Sequence, residues 1–325
     1  MPLHATTSHD PPSPRSESCR PGSETGVRAA RARWDGTVQA MFGSAARRIV
    51  PIGLRIVDVL HLRWALRWVY GHLQPSGRMW VGRHQVRLGL MEGLLKVPEA
   101  DLVKSMEASL RLLGEPARAP STAYLEFGVY VGTSMACMYR AASSAGADLL
   151  RLIGFDSFQG MPSGEERDPV WTWQPGQLYS DIDLTNANLE RLGVPLSRVE
   201  LVAGWFEESL TDATRDRLGI ERAAVIMFDC ILASSTRAAL DFCTPLIRDR
   251  SVLYFDDWSA ANLADRGLGE RRAFDEWLAD HPEMMAEERP DLGYGWDSQA
   301  FLVTRTGRPS EPVKPDRTIR LPGDS

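Results

Sequence analysis

Four short apolar segments of this chain each end on a carboxylate. They span residues 124–126, 152–156, 225–229 and 252–257. Segments this short and this apolar are typical of buried parallel strands, whose carboxyl ends form the ligand-binding edge of open α/β sheets. We therefore expect five acids at one edge, namely Glu126, Asp156, Asp229, Asp256 and Asp257. Each acid alone could instead cap a helix or occupy a turn. Four such endings together favour a site for hydroxyls, a cation or both.

From residue 121 onward, predicted strands alternate with predicted helices. The strands are expected near 122–128, 150–156, 199–204, 223–229 and 251–256, and the helices near 132–144, 181–192, 209–217, 234–247 and 269–280. This alternation predicts an α/β fold with right-handed crossovers and a mostly parallel sheet covered on both faces. Two more strands near 283–289 and 298–304, joined through residues 293–296, would form a hairpin that adds an antiparallel strand.

The rest of the chain divides by composition. Residues 1–46 are predicted to be a disordered segment, 47–118 a helical cap, 119–306 the α/β domain and 307–325 a flexible tail. Within the cap, residues 47–72 hold five arginines and one acid among apolar residues, a pattern that also fits a helix lying on a membrane surface. We favour packing on the α/β domain, so membrane contact is not expected.

Composition also excludes some classes of function. The net charge of −6 gives no reason to expect a nucleic-acid partner. No apolar run approaches the ~18 residues of a membrane span, and the polar first 25 residues predict no signal peptide. Three of the four cysteines lie in apolar patterns and show no metal-ligand spacing, which fits a reducing compartment. A cytoplasmic protein is therefore expected.

A glycine turn follows the first predicted strand and opens a helix. Gly128 and Gly132 allow a tight turn and a close approach to a ligand, and free N–H groups at the helix start suit a carboxylate or phosphate. The dinucleotide fingerprint needs glycine at position 130, where this chain has Tyr130, so a nicotinamide-dependent dehydrogenase is disfavoured. Asp156, at the end of the second strand, is placed to pair with ribose hydroxyls.

With these segments the chain resembles the class I S-adenosylmethionine-dependent methyltransferases, and within them the macrocin O-methyltransferase family. The matching stretches are residues 125–134 (LEFGVYVGTS), 154–162 (GFDSFQGMP), 204–206 (GWF), 235–236, 255–258 (FDDW), 269–277 and 294–296 (YGW). The resemblance implies a Rossmann-like seven-stranded fold with an N-terminal helical cap. It also implies transfer of a methyl group to a hydroxyl of a glycoside or other natural product, with a small-molecule acceptor as partner.

The resemblance further implies which residues bind S-adenosyl-L-methionine. They are Glu126, Gly128, Val129, Tyr130, Gly132, Thr133, Ser134, Asp156, Ser157, Phe158, Gly204, Trp205, Phe206 and Asp229. In this assignment the glycine turn surrounds the methionine part, Asp156 holds the ribose, and residues 204–206 border the adenine.

Three of the acids also form a candidate metal site. Adjacent parallel strands lie ~4.8 Å apart, so the carboxylates of Asp229, Asp256 and Asp257 can meet. Carboxylates that close repel one another unless a cation binds, and an all-oxygen set suits Mg²⁺, Mn²⁺ or Ca²⁺. The resemblance implies Mg²⁺, with Asp229 also a candidate general base. The alternative is that Asp256 or Asp257 caps a helix and Asp229 contacts only the cofactor.

Two departures from the family pattern leave a second function class open. Where the family commonly reads D-x-D-L-Y-x-S-T, residues 229–236 read DCILASST, so Ile231 replaces an acid and Ala233 an aromatic residue. A degenerate, noncatalytic methyltransferase-like partner protein would fit these losses. On the acceptor side, the loop over residues 159–180 carries Trp171, Trp173 and Tyr179, which either stack on the acceptor or anchor the loop. A homo-oligomer is compatible with the sequence.

Overall fold

The computed structural model describes Gly77, residues 99–162, Gly176, residues 178–295 and residues 297–307. The predicted disordered segment 1–46, residues 47–72 and nearly all of the tail from 307 lie outside the described residues. The described part of the predicted cap is a helix, Glu99–Leu113, followed by a short turn of 3₁₀-helix, Glu115–Arg118. None of the described helices is both long and apolar enough to cross a bilayer.

Seven strands form one sheet in the order β3-β2-β1-β4-β5-β7-β6. Their bounds are β1 Thr122–Phe127, β2 Arg151–Asp156, β3 Val199–Ala203, β4 Arg222–Phe228, β5 Arg250–Phe255, β6 Met284–Glu288 and β7 Gln299–Arg305. The first five are parallel, and β7 is antiparallel to both β5 and β6. The predicted α/β class, the seven strands and the closing hairpin are all confirmed.

Helices cover both faces of the sheet. They are α1 Glu99–Leu113, α2 Thr133–Ala145, α3 Ile182–Arg191, α4 Phe206–Ser209, α5 Asp212–Leu218, α6 Ala233–Cys243 and α7 Gly269–Asp280. Buried residues of α1, α2 and α3 share one apolar cluster with Tyr124 of β1, whereas those of α6 and α7 share a second cluster with Leu125. Neighbouring strand residues point to opposite faces, so β1 contributes to both cores.

A row of stacked phenylalanines crosses the middle of the sheet just below its carboxyl edge. Phe127 stacks on Phe155 of β2 at a ring-centroid distance of 5.1 Å and on Phe228 of β4 at 5.6 Å, and Phe228 stacks on Phe255 of β5 at 4.9 Å. These residues are direct register partners. The row aligns the ends of four strands, so the residues that follow the phenylalanines reach the edge together.

Candidate functional site

The backbone turn after β1 lies against the end of β4. Gly128 has a φ of 91°, and a Cβ atom there would overlap the carbonyl oxygen of Asp229. Only glycine fits this position, because a side chain would force the two loops apart. The strand order reverses between β1 and β4, which is the switch point where open α/β sheets bind ligands. The predicted cofactor turn and the first predicted metal ligand therefore share one crevice.

Asp156 binds the same turn through its carboxylate. Its Oδ2 accepts the backbone N–H groups of Val129 and Tyr130, each at 2.8 Å, and its Oδ1 accepts the N–H of Phe158 at 2.7 Å. Burial raises the pKa of Asp156, and these three backbone donors lower it. The sequence predicted that Asp156 lies at the site and binds ribose hydroxyls, and it predicted no contact with the protein itself. In the structure it also fixes the turn, so its replacement affects the fold as well as the site.

Two buried polar residues of α3 hold the other side of this turn. Thr185 Oγ1 donates to the carbonyl of Tyr130 at 2.6 Å, and Asn188 Nδ2 donates to the carbonyl of Val131 at 2.7 Å. Both side chains are almost fully buried. Sequence reasoning missed them, although their spacing of three puts both on the face of α3 that also buries Leu189.

Replacing Asn188 with leucine is expected to lower the free energy of unfolding by about 1–3 kcal/mol, because the Val131 carbonyl is left buried without its donor. Urea denaturation followed by circular dichroism measures this loss. Asn186→Leu, on a half-buried position of the same helix, is the matched control and should change stability much less. Equal losses in both variants would contradict the role assigned to Asn188.

Glu126 lies inside β1, one residue below the edge. It is fully buried, and it accepts hydrogen bonds from Tyr124 Oη at 2.7 Å and Ser134 Oγ at 2.5 Å. Burial raises the pKa of Glu126 to about 8, although both hydrogen bonds lower it. The strand continues through Phe127, within the predicted range 122–128, so Glu126 lies one residue below the edge at which it was expected. Glu126 links the strand to the first turn of α2 and lies beneath the glycine turn that follows β1.

The acids that follow β4 and β5 come together as predicted. One carboxylate oxygen from each of Asp229, Asp256 and Asp257 lies within 4.8 Å of the other two, and all three residues are partly buried. The strands place them there: the backbone N–H of Asp229 bonds to the carbonyl of Phe127, and that of Asp256 to the carbonyl of Phe228. This is an all-oxygen donor set of the kind that divalent cations such as Mg²⁺ prefer.

These carboxyls resist ionisation in the protein alone. Burial, followed by repulsion from Asp256 and then Asp257, raises the pKa of Asp229 well above its usual range. Burial and then the charge of Asp256 raise the pKa of Asp257 to about 8. A bound cation removes both penalties, since it replaces lost solvation and screens the repulsion. The electrostatics therefore favour a cation at this edge.

Other predicted site residues lie at the neighbouring strand ends. The N–H of Gly204 bonds to the carbonyl of Asp156 at 3.0 Å, which brings the end of β3 to the second strand. The ring of Phe206 packs edge-on against Phe127 at 5.8 Å, so it contributes to the core. Ser157 accepts the N–H of Gln159 within the turn after β2.

Tyr179 is buried, which favours the anchoring alternative for its side chain. Trp171 and Trp173 lie outside the described residues.

Sequence reasoning missed two neighbours of the acidic cluster. Tyr294 donates its hydroxyl to Asp256 Oδ1, and Glu270 Oε2 accepts the backbone N–H of Asp257 at 3.1 Å. A signal for Glu270 was present, because it shares the helical spacing of the buried residues Ala273, Phe274 and Trp277. An acid on the apolar stripe of a helix predicts a buried carboxylate.

Backbone strain concentrates at the same edge. Tyr130, Phe158 and Ile231 have φ values of 52°, 53° and 52°, and they lie in the loops that follow β1, β2 and β4. A bulky residue in the left-handed region is unusual and costs about 1–3 kcal/mol. Strain of this kind clusters at functional sites. Ile231 is itself buried as well as strained.

The fold is that of the class I methyltransferases. Residues 125–258 match a family model described as "Methyltransferase domain". The described architecture is similar to that of the O-methyltransferase NovP, with a TM-score of 0.50, 19% identity, and coverage of 64% of this chain and 80% of that chain. It is also similar to the calicheamicin methyltransferase CalS11, with a TM-score of 0.50, 21% identity, and coverage of 72% and 91%.

One curated relative is similar in sequence. It is the 8-demethyl-8-(2,3-dimethoxy-alpha-L-rhamnosyl)-tetracenomycin-C 4'-O-methyltransferase of Streptomyces olivaceus, which is 30% identical over 141 residues. The match covers 42% of this chain and 52% of the relative, so the chain spans about half the length of this protein. The predicted class I methyltransferase fold is confirmed by the structural matches.

Proposed function

We propose that this protein is an S-adenosylmethionine-dependent O-methyltransferase that acts on a hydroxyl of a glycoside or other natural product, with Mg²⁺ at the acidic cluster. The observation that carries the proposal is the backbone contact between Gly128 and Asp229. This contact brings the glycine turn after β1 next to the cluster of three carboxylates, and it supports the proposal because transfer between two bound molecules requires adjacent sites.

The residues around the turn fit the proposed cofactor. Gly132 begins α2 without a side-chain cap, so the N–H groups of Thr133 and Ser134 are available to the cofactor's carboxylate. Asp156, at the end of β2, lies where nucleoside-binding α/β proteins hold ribose. When bound, S-adenosylmethionine supplies the methyl group. The chain's task is to fix its orientation, and the bonds from Asp156, Thr185 and Asn188 keep the turn in place for it.

The acidic cluster fits the proposed metal. Asp229, Asp256 and Asp257 would hold Mg²⁺, which lowers the pKa of a bound hydroxyl and fixes its oxygen. Asp229 also borders Gly128 of the cofactor turn. This position makes it our candidate for the base that takes the proton of the acceptor hydroxyl. The acceptor class follows from the relative in Streptomyces olivaceus, whose name describes methylation of a rhamnosyl tetracenomycin.

The proposal is tested by titrating the full chain with S-adenosylmethionine in a calorimeter and then screening glycosylated natural products with methyl-labelled cofactor. Cofactor binding with label transfer to a hydroxyl is the expected result. Binding without transfer to any acceptor would favour the noncatalytic partner protein suggested by Ile231 and Ala233. A titration with nicotinamide dinucleotide tests the disfavoured dehydrogenase, and binding of that cofactor alone would contradict the proposal.

Asp156→Asn is expected to weaken S-adenosylmethionine binding at least tenfold, since charge-assisted bonds to ribose are worth ~1.5–3 kcal/mol. It should also lower stability, because an amide nitrogen cannot accept the backbone N–H bonds that the carboxylate now receives. Calorimetry on the folded variant measures the affinity, with exposed Asp183→Asn as control. An unchanged affinity would remove Asp156 from the cofactor site.

A further inference from the structure

Glu270 is a carboxylate in the interior of the protein. It lies in the first turn of α7 and exposes 1% of its surface. Its helix face packs into the apolar cluster through Ala273, Phe274 and Trp277. Burial of an acid in such a place costs free energy unless its oxygens are satisfied. The position therefore calls for a specific partner.

One oxygen of Glu270 has its partner in the loop after β5. Oε2 accepts the backbone N–H of Asp257 at 3.1 Å. A backbone hydrogen bond from Cys230, in the loop after β4, lowers the pKa of the same carboxyl. A Cβ atom on the preceding residue, Gly269, would lie 3.2 Å from the carbonyl oxygen of Ile231. The start of α7 is therefore packed against both loops that carry the three aspartates.

The other carboxylate oxygen of Glu270 has no hydrogen-bond partner of this kind. Oε1 is buried and has no hydrogen-bond partner among the described residues. Buried carboxylate oxygens rarely remain without a donor. Among charged groups, Asp257 and then Asp256 act most strongly on Glu270, and an ionised aspartate cannot donate a hydrogen bond. A cation ligand bound at the acidic cluster would supply the missing donor. A hydrated Mg²⁺ or Mn²⁺ brings such donors, because these ions usually keep several of their waters.

We propose that Glu270 is the outer carboxylate of the acidic cluster and a positioning residue for it. Its Oε2 accepts the backbone N–H of Asp257, and its Oε1 would accept a hydrogen bond from a water molecule on a cation held by the three aspartates. Groups in this outer position typically change metal affinity by 10- to 100-fold. The inference rests on the metal site of the proposed function. It adds a fourth acid, contributed by a helix outside the two metal-bearing loops.

Manganese binding tests this role without any acceptor. Glu270→Gln keeps an oxygen for the Asp257 N–H but replaces the second oxygen with an amide nitrogen, which cannot accept. Mn²⁺ titrations followed by electron paramagnetic resonance should show an affinity at least about tenfold weaker than that of the unmodified protein. S-adenosylmethionine affinity should remain unchanged. Glu276→Gln, on the exposed face of the same helix, is the matched control and should bind Mn²⁺ normally.

Glu270→Leu separates positioning from packing. It preserves volume but removes both oxygens, so it should weaken Mn²⁺ binding at least as much as Glu270→Gln. Unchanged Mn²⁺ affinity in folded Glu270→Gln would overturn the inference while sparing the metal site. Absence of Mn²⁺ binding to the unmodified protein would overturn the metal site itself. The two failures are therefore distinguishable.

Discussion

Replacing Asp257 with asparagine is expected to reduce methyl transfer about 100-fold or more, with S-adenosylmethionine affinity changed less than twofold. The substitution removes a ligand and a formal charge from the acidic cluster, and the acceptor hydroxyl then loses both its orientation and the lowering of its pKa. The proposed cofactor turn lies on the other side of the crevice. The affinity for S-adenosylmethionine should therefore be unchanged. Initial rates with labelled cofactor and a calorimetric titration measure the two effects.

Three comparisons make this result specific. Asp265→Asn alters an exposed acid in the segment after β5 and should leave the rate unchanged. Asp256→Asn should match Asp257→Asn, and Asp229→Asn should be at least as damaging, since it also removes the candidate base. A chelator should stop the unmodified enzyme reversibly. Full activity in excess chelator, with no metal found by elemental analysis, would eliminate the metal mechanism and leave the fold assignment intact.

The second large effect is expected on stability: without divalent cations, the free energy of unfolding should fall as the pH rises from about 5 to 8. The pKa of Asp257 is about 8 in the folded protein, against about 4 in an unfolded chain. Between these values the folded state holds a proton that the unfolded state has released, so raising the pH favours unfolding. One such group contributes a slope of at most about 1.4 kcal/mol per pH unit.

Other acids act in the same direction. Burial also raises the pKa of Glu126 to about 8 and the pKa values of Asp229 and Glu270 well above their usual range. Denaturant titrations at several pH values, with chelator and with Mg²⁺, measure the effect. Mg²⁺ should restore most of the stability at pH 8, and Asp257→Asn should flatten the chelated profile. A chelated profile that rises or stays level over this range would refute the electrostatic description of the cluster.

The sequence predicted the fold more completely than it predicted the site. The sequence pattern located all seven strands, four of them as the short continuous apolar runs typical of buried parallel strands, and it located the helix Gly269–Asp280 to the residue. The convergence of Asp229, Asp256 and Asp257 followed from strand order alone. These features depend on the local pattern of apolar residues and on the rule that parallel strands end at the same edge of a sheet. Both can be applied to a single sequence.

The parts that the sequence did not show depend on tertiary contacts. Glu126 was expected at the edge and lies one residue below it, because Phe127 ends the strand and joins a phenylalanine row that only strand pairing creates. The ligand role of Asp156 stays a prediction, and its bonds to Val129 and Tyr130 were not visible in the sequence because they join the ends of two strands. Glu270 was visible only as an acid on a buried helix face, and its partners come from loops far away in the chain.

The position of β7 in the sheet has a consequence for how the protein is made. This strand, Gln299–Arg305, lies between β5 and β6 and is antiparallel to both. Until it leaves the ribosome, the apolar residues 252–255 of β5 form an unpaired strand edge, which is a template for aggregation. A stop codon shortly before residue 299 should therefore yield insoluble protein and leave β6 without its neighbour in the sheet. Solubility should thus depend on the part of the chain from residue 299 onward, which holds none of the predicted site residues.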